Sequence, residues 1–134
     1  MRRIKEVAHY IQFLIFFLIS QNSPHLNTEF FSTKIEPPKI VPFSFGSDII
    51  DEGSHAQLMC SVSHGDLPIT ITWSLKGDSI NSEPSITTTM IGTRASILMI
   101  SNVGYRHSGQ YICTAKNTAG TSSSTTELRV NGWL

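Results

Sequence analysis

Helical periodicity, clustered basic charge and recognisable catalytic motifs are all missing from this 134-residue chain, and each absence removes a class of protein. Charged residues make up only 15% of it, low for a globular chain, with ten basic side chains against ten acidic ones. Residues 1–34 carry Arg2, Arg3, Lys5 and Lys34 against Glu6 and Glu29, a balance of +2, so the remainder stands at −2. Nowhere do Lys and Arg cluster as neutralising phosphates requires, so no nucleic acid is expected as a partner. No G-x-S-x-G, phosphate-cradling glycine loop or H-E-x-x-H occurs. The carboxylates fall mainly in turns, without an inward pair whose environments could drive two pKa values apart. His55, His64 and His107 sit in separate strands or turns and are expected to be solvated. Neither an enzyme, a metal site nor a cofactor follows from such residues. N-glycosylation is not expected either, because Asn22, Asn27, Asn81, Asn102, Asn117 and Asn131 all lack Ser or Thr at the required third position.

Cysteine is scarce too: only Cys60 and Cys113 occur. Two cysteines need two histidines at short spacing to hold a structural zinc, and none are so placed. One disulfide in a small β-domain is the better reading. It would close a loop of about 54 residues and contribute roughly 4 kcal/mol on the chain-entropy account. Two buried free thiols, as in an intracellular sandwich domain, are the alternative.

Long apolar runs are limited to one. Arg2, Arg3 and Lys5 precede Ile11-Gln12-Phe13-Leu14-Ile15-Phe16-Phe17-Leu18-Ile19, nine residues with one polar member. A positive start and so short a run describe a signal peptide over residues 1–22 rather than a membrane span, which needs about 20 apolar residues. Ser20 and Ser23 lie nearby, but no A-x-A-like cleavage site is present. A signal anchor or a non-native start remain as alternatives. Association with a membrane would then come only through a signal anchor or an anchor missing from this chain.

What the chain does contain is short β-like runs at intervals of about 8 to 12 residues, the spacing of a two-sheet sandwich. Residues 23–36 read as a polar linker, 37–131 as one domain and 132–134 as a tail. Pro37-Pro38 sets an extended start, and Lys39-Ile40-Val41-Pro42 reads as an edge strand that Pro42 ends or kinks between sheets. Ala56, Leu58, Cys60 and Val62 alternate with Gln57, Met59, Ser61 and Ser63, which is a strand with Cys60 pointing inward. Ile69, Ile71, Trp73 and Leu75 alternate likewise, rich in β-formers. Lys76-Gly77-Asp78 is a tight turn, and its faint likeness to integrin-binding tripeptides needs no more than a turn's demand for Gly and Asp. Ser79 to Pro84 shows no pattern. Leu98 and Ile100 should face inward with Val103 beside them, as should Tyr111, Cys113 and Ala115 and then Leu128 and Val130. Asn117-Thr118-Ala119-Gly120 is a hairpin whose glycine suits positive φ. The Ser- and Thr-rich segments around Ser85, Thr87, Thr89, Thr121, Ser123 and Thr125 are candidate contact edges, or equally polar edge protection.

Cys60 and Trp73 lie thirteen residues apart, and Tyr111 stands two before Cys113. Two facing strands can each send a cysteine inward while the indole covers the bridge. Tyr111 is placed to return its hydroxyl to upstream backbone as a tyrosine corner, with Gly109 supplying the turn.

On these residues the chain resembles an I-set immunoglobulin domain, an all-β two-sheet sandwich with one inter-sheet disulfide. Within that set it is similar to the domains of arthropod Down syndrome cell adhesion molecule (Dscam). The stretches that carry the likeness are Pro37-Pro38-Lys39-Ile40-Val41-Pro42-Phe43-Ser44-Phe45-Gly46, Gly65-Asp66-Leu67-Pro68-Ile69, Arg106 through Cys113, and Lys116-Asn117-Thr118-Ala119-Gly120. The wider family has Asp where this chain has His107, often paired with an Arg such as Arg94. That ion pair cannot form here, so His107 and Arg94 are expected to be exposed. The resemblance implies an extracellular recognition module, secreted or at the cell surface. It would bind itself or a related immunoglobulin-domain receptor, in neuronal wiring or in immunity. A secreted single-domain binder of soluble or microbial ligands is the alternative, and an intracellular structural domain, which free thiols would mark, is a third.

Overall fold

The computed structural model describes residues 33–47 and 49–132. The signal-like segment expected over 1–22, most of the linker and the last two residues of the tail lie outside the described residues.

Among the described residues nine strands follow in chain order: β1 (Lys39–Ile40), β2 (Ile49–Asp51), β3 (Ala56–His64), β4 (Thr70–Leu75), β5 (Asp78–Ser79), β6 (Ile86–Ile91), β7 (Ala95–Ile100), β8 (Gly109–Asn117) and β9 (Gly120–Asn131). They make a four-stranded sheet, β1-β3-β7-β6, and a five-stranded sheet, β2-β9-β8-β4-β5. All pairs are antiparallel except β2 with β9. The chain therefore changes sheets between β1 and β2. Pro42 sits in that crossing, where the lack of an N–H breaks no ladder. Behind it Phe43 meets Trp73 edge-on at 5.5 Å, and Phe45 meets Tyr111 at 5.3 Å. Those two rings close the side of the sandwich that the short β1 and β2 leave open.

The core lies between the sheets and follows the alternation of the sequence. Ala56, Leu58, Cys60 and Val62 are buried along β3, and Gln57, Met59 and Ser63 are exposed. Their register sets Leu58 against Leu98 and Ala56 against Ile100 on β7. Leu58, Leu98 and Ile100 are all within 1% of complete burial. Each contributes about 1.5–3 kcal/mol over leaving it in water.

Two features depart from the sequence expectations. The patternless Ser79–Pro84 holds β5 and a 3-10 turn, Ile80–Ser82, that drops Ile80 into the core at 4% exposure. The β8–β9 hairpin does not use positive φ at Gly120. Instead Asn117 Oδ1 accepts from the N–H groups of Ala119 and Gly120, at 2.9 and 3.0 Å. Glycine at 120 eases a close approach, because a Cβ there would stand 3.1 Å from Pro37 Cβ.

Candidate functional site

The centre of the domain is covalent. Cys60 on β3 and Cys113 on β8 form the disulfide, with Cα atoms 6.4 Å apart. Trp73 pairs with Cys113 across β4 and β8, and its indole N–H donates to Ser96 Oγ at 3.0 Å, reaching from one sheet to the other. Tyr111 is fully buried, and its hydroxyl donates to the carbonyl of His107 at 2.7 Å. Burial pushes the Tyr111 phenol far above its ordinary range. These groups fix the scaffold and present nothing reactive to solvent.

His107 overturns an expectation. It is not solvated: its exposure is 0%, inside a 3-10 turn, Tyr105–His107, that joins β7 to β8. The neutral imidazole fits because both ring nitrogens are matched. Nδ1 accepts the backbone N–H of Gly104 at 2.8 Å, and Nε2 lies 2.7 Å from Ser85 Oγ. A ring whose Nδ1 faces a donor carries its proton on Nε2, so His107 donates to Ser85. Ser85 in turn donates to Glu83 Oε1 at 2.5 Å. Burial, then the neighbouring Arg106 charge, lowers the His107 pKa below its ordinary value. Hydrogen bonds from the Ser85 hydroxyl and amide hold the Glu83 carboxyl below its usual range. Arg94 is likewise half-buried rather than exposed, because with no Asp to meet it donates to Gly65 O at 2.9 Å.

A second polar centre holds the opposite end of the domain. Asn117, 8% exposed, donates to Glu36 O at 2.7 Å and Asp66 O at 3.0 Å while its own oxygen holds the β8–β9 hairpin. Glu36 N–H also donates to Asp66 Oδ2 at 2.7 Å. One side chain thus ties the start of the domain to two turns. Sequence reasoning placed Asn117 only in a hairpin. Its usable signal was an amide, able to donate and accept together, immediately before a turn.

The outer faces differ in chemistry. On the four-stranded sheet, register aligns Gln57–Met99–Thr87, Met59–Ile97–Thr89 and Ser61–Ala95–Ile91 outward in three rows. None of these nine side chains is charged, and Met59 and Ile91 are 54% and 49% exposed. Val41, also exposed, follows the β1 edge of this face. On the five-stranded sheet the rows are hydroxyl-rich: Thr70–Lys116–Thr121, Thr72–Thr114–Ser123 and Ser74–Ile112–Thr125. Thr114 and Ser123 hydroxyls lie 3.1 Å apart. The candidate edge residues therefore separate. Thr87 and Thr89 join the apolar face, Thr121, Ser123 and Thr125 the hydroxyl face, and Ser85 turns inward to His107. Among the described residues no group of three or more His, Cys, Asp or Glu could hold a metal, and no helix is long and apolar enough to cross a membrane.

This sandwich, with its covered disulfide and tyrosine corner, defines a class, and the chain belongs to the immunoglobulin domain family, whose model matches residues 37–117. Among its relatives, the cell adhesion molecule Dscam1 of Drosophila melanogaster is 44% identical over 96 residues, 71% of this chain and 5% of that protein. Human cell adhesion molecule DSCAML1 is 40% identical over 94 residues, 70% of this chain and 4% of that protein. The crystal structure of the Dscam1 Ig7 domain, isoform 5, superposes with a TM-score of 0.68 at 45% identity, covering 71% of this chain and 97% of that one. The chain thus spans about a twentieth of the length of these adhesion molecules. It is an immunoglobulin domain similar to those of cell adhesion molecules.

Proposed function

We propose that this domain is an extracellular recognition module that binds a second copy of itself, or the matching domain of a related receptor, through the outer face of β3, β7 and β6. The observation that carries the reading is the uncharged lattice around Met59, Ile97, Met99 and Ile91. Soluble domains usually scatter exposed apolar side chains singly. Here exposed Met59 and Ile91 adjoin half-buried Ile97 and Met99, flanked by the short side chains of Ser61, Thr87 and Thr89, in three rows that hold no charge for a symmetric partner to bury. Kinship with adhesion molecules supports the same reading. The hydroxyl face with Thr121, Ser123 and Thr125 is a second surface of this module, suited to wetter and weaker contact.

Sedimentation of the domain at rising concentration tests this. Weak self-association is expected, and Met59→Lys or Ile97→Lys should weaken it tenfold or more by placing like charges face to face, with the unfolding midpoint little changed. A strict monomer at high concentration, or association indifferent to both substitutions, sinks the proposal.

A further inference from the structure

We propose that His107, Ser85 and the Gly104 amide form an acid-releasable latch that fastens the turn between β7 and β8 to the start of β6. The latch has a defined hydrogen order. Gly104 N–H donates to Nδ1 at 2.8 Å, Nε2–H donates to Ser85 Oγ across 2.7 Å, and Ser85 O–H donates to Glu83 Oε1 at 2.5 Å. The chain of donors runs one way, and neutral histidine is the form that completes it. Ser85 directly precedes β6, which among the described residues is an edge strand paired with β7 alone, so this donor chain is a side-chain tie just ahead of that strand.

A second proton on the ring must go to Nδ1. That nitrogen would then present N–H to the Gly104 N–H, two donors facing each other across a hydrogen-bond distance with neither able to accept. Protonation therefore requires the Tyr105–His107 turn to open. The charged and titratable groups around the ring come from every side. Arg106 on the same turn and Lys76 on the β4–β5 turn oppose a second positive charge, and Glu83 favours it. The Tyr111 phenol hydrogen-bonds the His107 carbonyl rather than the ring, and its own pKa is pushed further from neutrality. Glu83 is already engaged by the Ser85 hydroxyl and amide, and its partner Arg106 stands 3.9 Å away. Its attraction therefore does not offset burial and the two cations.

The sign of the effect follows from linkage. The folded ring titrates below the ordinary histidine value of 6.5, while the unfolded ring titrates near it. Above that pH both states are neutral and nothing is lost. Below it the unfolded or opened state binds a proton that the latched state refuses, so the closed-to-open ratio falls by up to about tenfold per pH unit until the folded pKa is reached. The window is the one in which a cell-surface protein passes into acidified compartments.

The experiment is NMR of the intact chain between pH 7.5 and 5, following the His107 imidazole and amide exchange at Gly104 and at Ile86 and Thr87. Expected is a titration of His107 well below the ordinary histidine value of 6.5, with protection at Gly104 and the start of β6 falling several-fold as pH drops through about 6. His107→Asn should keep an acceptor for Gly104 and remove the titration, so its protection at these amides should be flat over the same range. A His107 imidazole that titrates at or above the ordinary histidine value with unchanged Gly104 protection overturns the proposal. So does an equal loss of protection in the Asn variant. Should that variant not fold, the wild-type titration and exchange decide alone. Neither readout depends on self-association, so failure of the latch and failure of the docking face remain distinguishable.

Discussion

At the scale of single residues, the informative positions are polar groups that the fold buries. His107 and Asn117 share a property that apolar core residues lack, since each satisfies groups belonging to two or more segments far apart in sequence. Asn117 makes four hydrogen bonds, two through its amide N–H groups to Glu36 O and Asp66 O, and two through its oxygen to Ala119 and Gly120. Asn117→Ala is expected to lose about 2–3 kcal/mol, because the carbonyls it served at this half-closed end of the sandwich are only partly recovered by water. Asn117→Asp keeps the acceptor for the hairpin but turns a carboxylate oxygen toward the carbonyls of Glu36 and Asp66, so it should lose at least as much as Ala in urea unfolding. An Asp variant as stable as wild type would mean the two amide donations contribute nothing. These residues were hard to read from the chain. Replacing Asp by His at 107 reads in sequence only as an ion pair lost. The replacement bond comes from Ser85, twenty-two positions earlier, and its geometry exists only after β6 and the Tyr105–His107 turn are brought together.

Elements were more legible, and the reason is periodicity. β3, β4, β7 and β8 are half-buried strands with side chains alternating between core and solvent, so Cys60, Trp73, Leu98, Ile100 and Tyr111 declare their direction from their neighbours. Ile80 did not, because a lone apolar residue in a polar run has no period to betray it, and a three-residue 3-10 turn leaves none. Turns separate by what surrounds their glycines. Gly65 takes φ +117°, and a Cβ there would stand 2.7 Å from Pro38 Cα, which is backbone and cannot yield. Gly92 takes φ +61° with open space around it. Gly65→Ala should therefore cost about 3 kcal/mol or more and loosen β1, seen as faster amide exchange at Ile40. Gly92→Ala pays only for the left-handed backbone, about 1 kcal/mol. Equal losses in urea unfolding would show that the approach of Gly65 to Pro38 is not what fixes the first strand.

For the whole molecule, the question is what keeps two sheets together when their outer faces are so different. One face is uncharged and largely apolar, the other is a carpet of hydroxyls, and neither face joins one sheet to the other. The join rests on the layer between them, with the rings of Phe43 and Phe45, the Trp73–Ser96 hydrogen bond and one covalent tie, Cys60–Cys113, crossing it. That tie spans 53 positions and links β3 of one sheet to β8 of the other. Cutting it frees about half of the domain in the unfolded state, worth roughly 4 kcal/mol in loop entropy. For a domain this size that corresponds to roughly 20 °C in unfolding temperature. The double variant Cys60→Ala, Cys113→Ala is expected to show at least that loss in calorimetry, since two small cavities beside Trp73 add to it. The β6 latch lies within the loop that the disulfide closes but uses neither cysteine, so the pH response of Gly104 should survive in whatever folded fraction remains. A double variant within about 1 kcal/mol of wild type would mean that packing alone joins the sheets and that the disulfide merely decorates a core already complete.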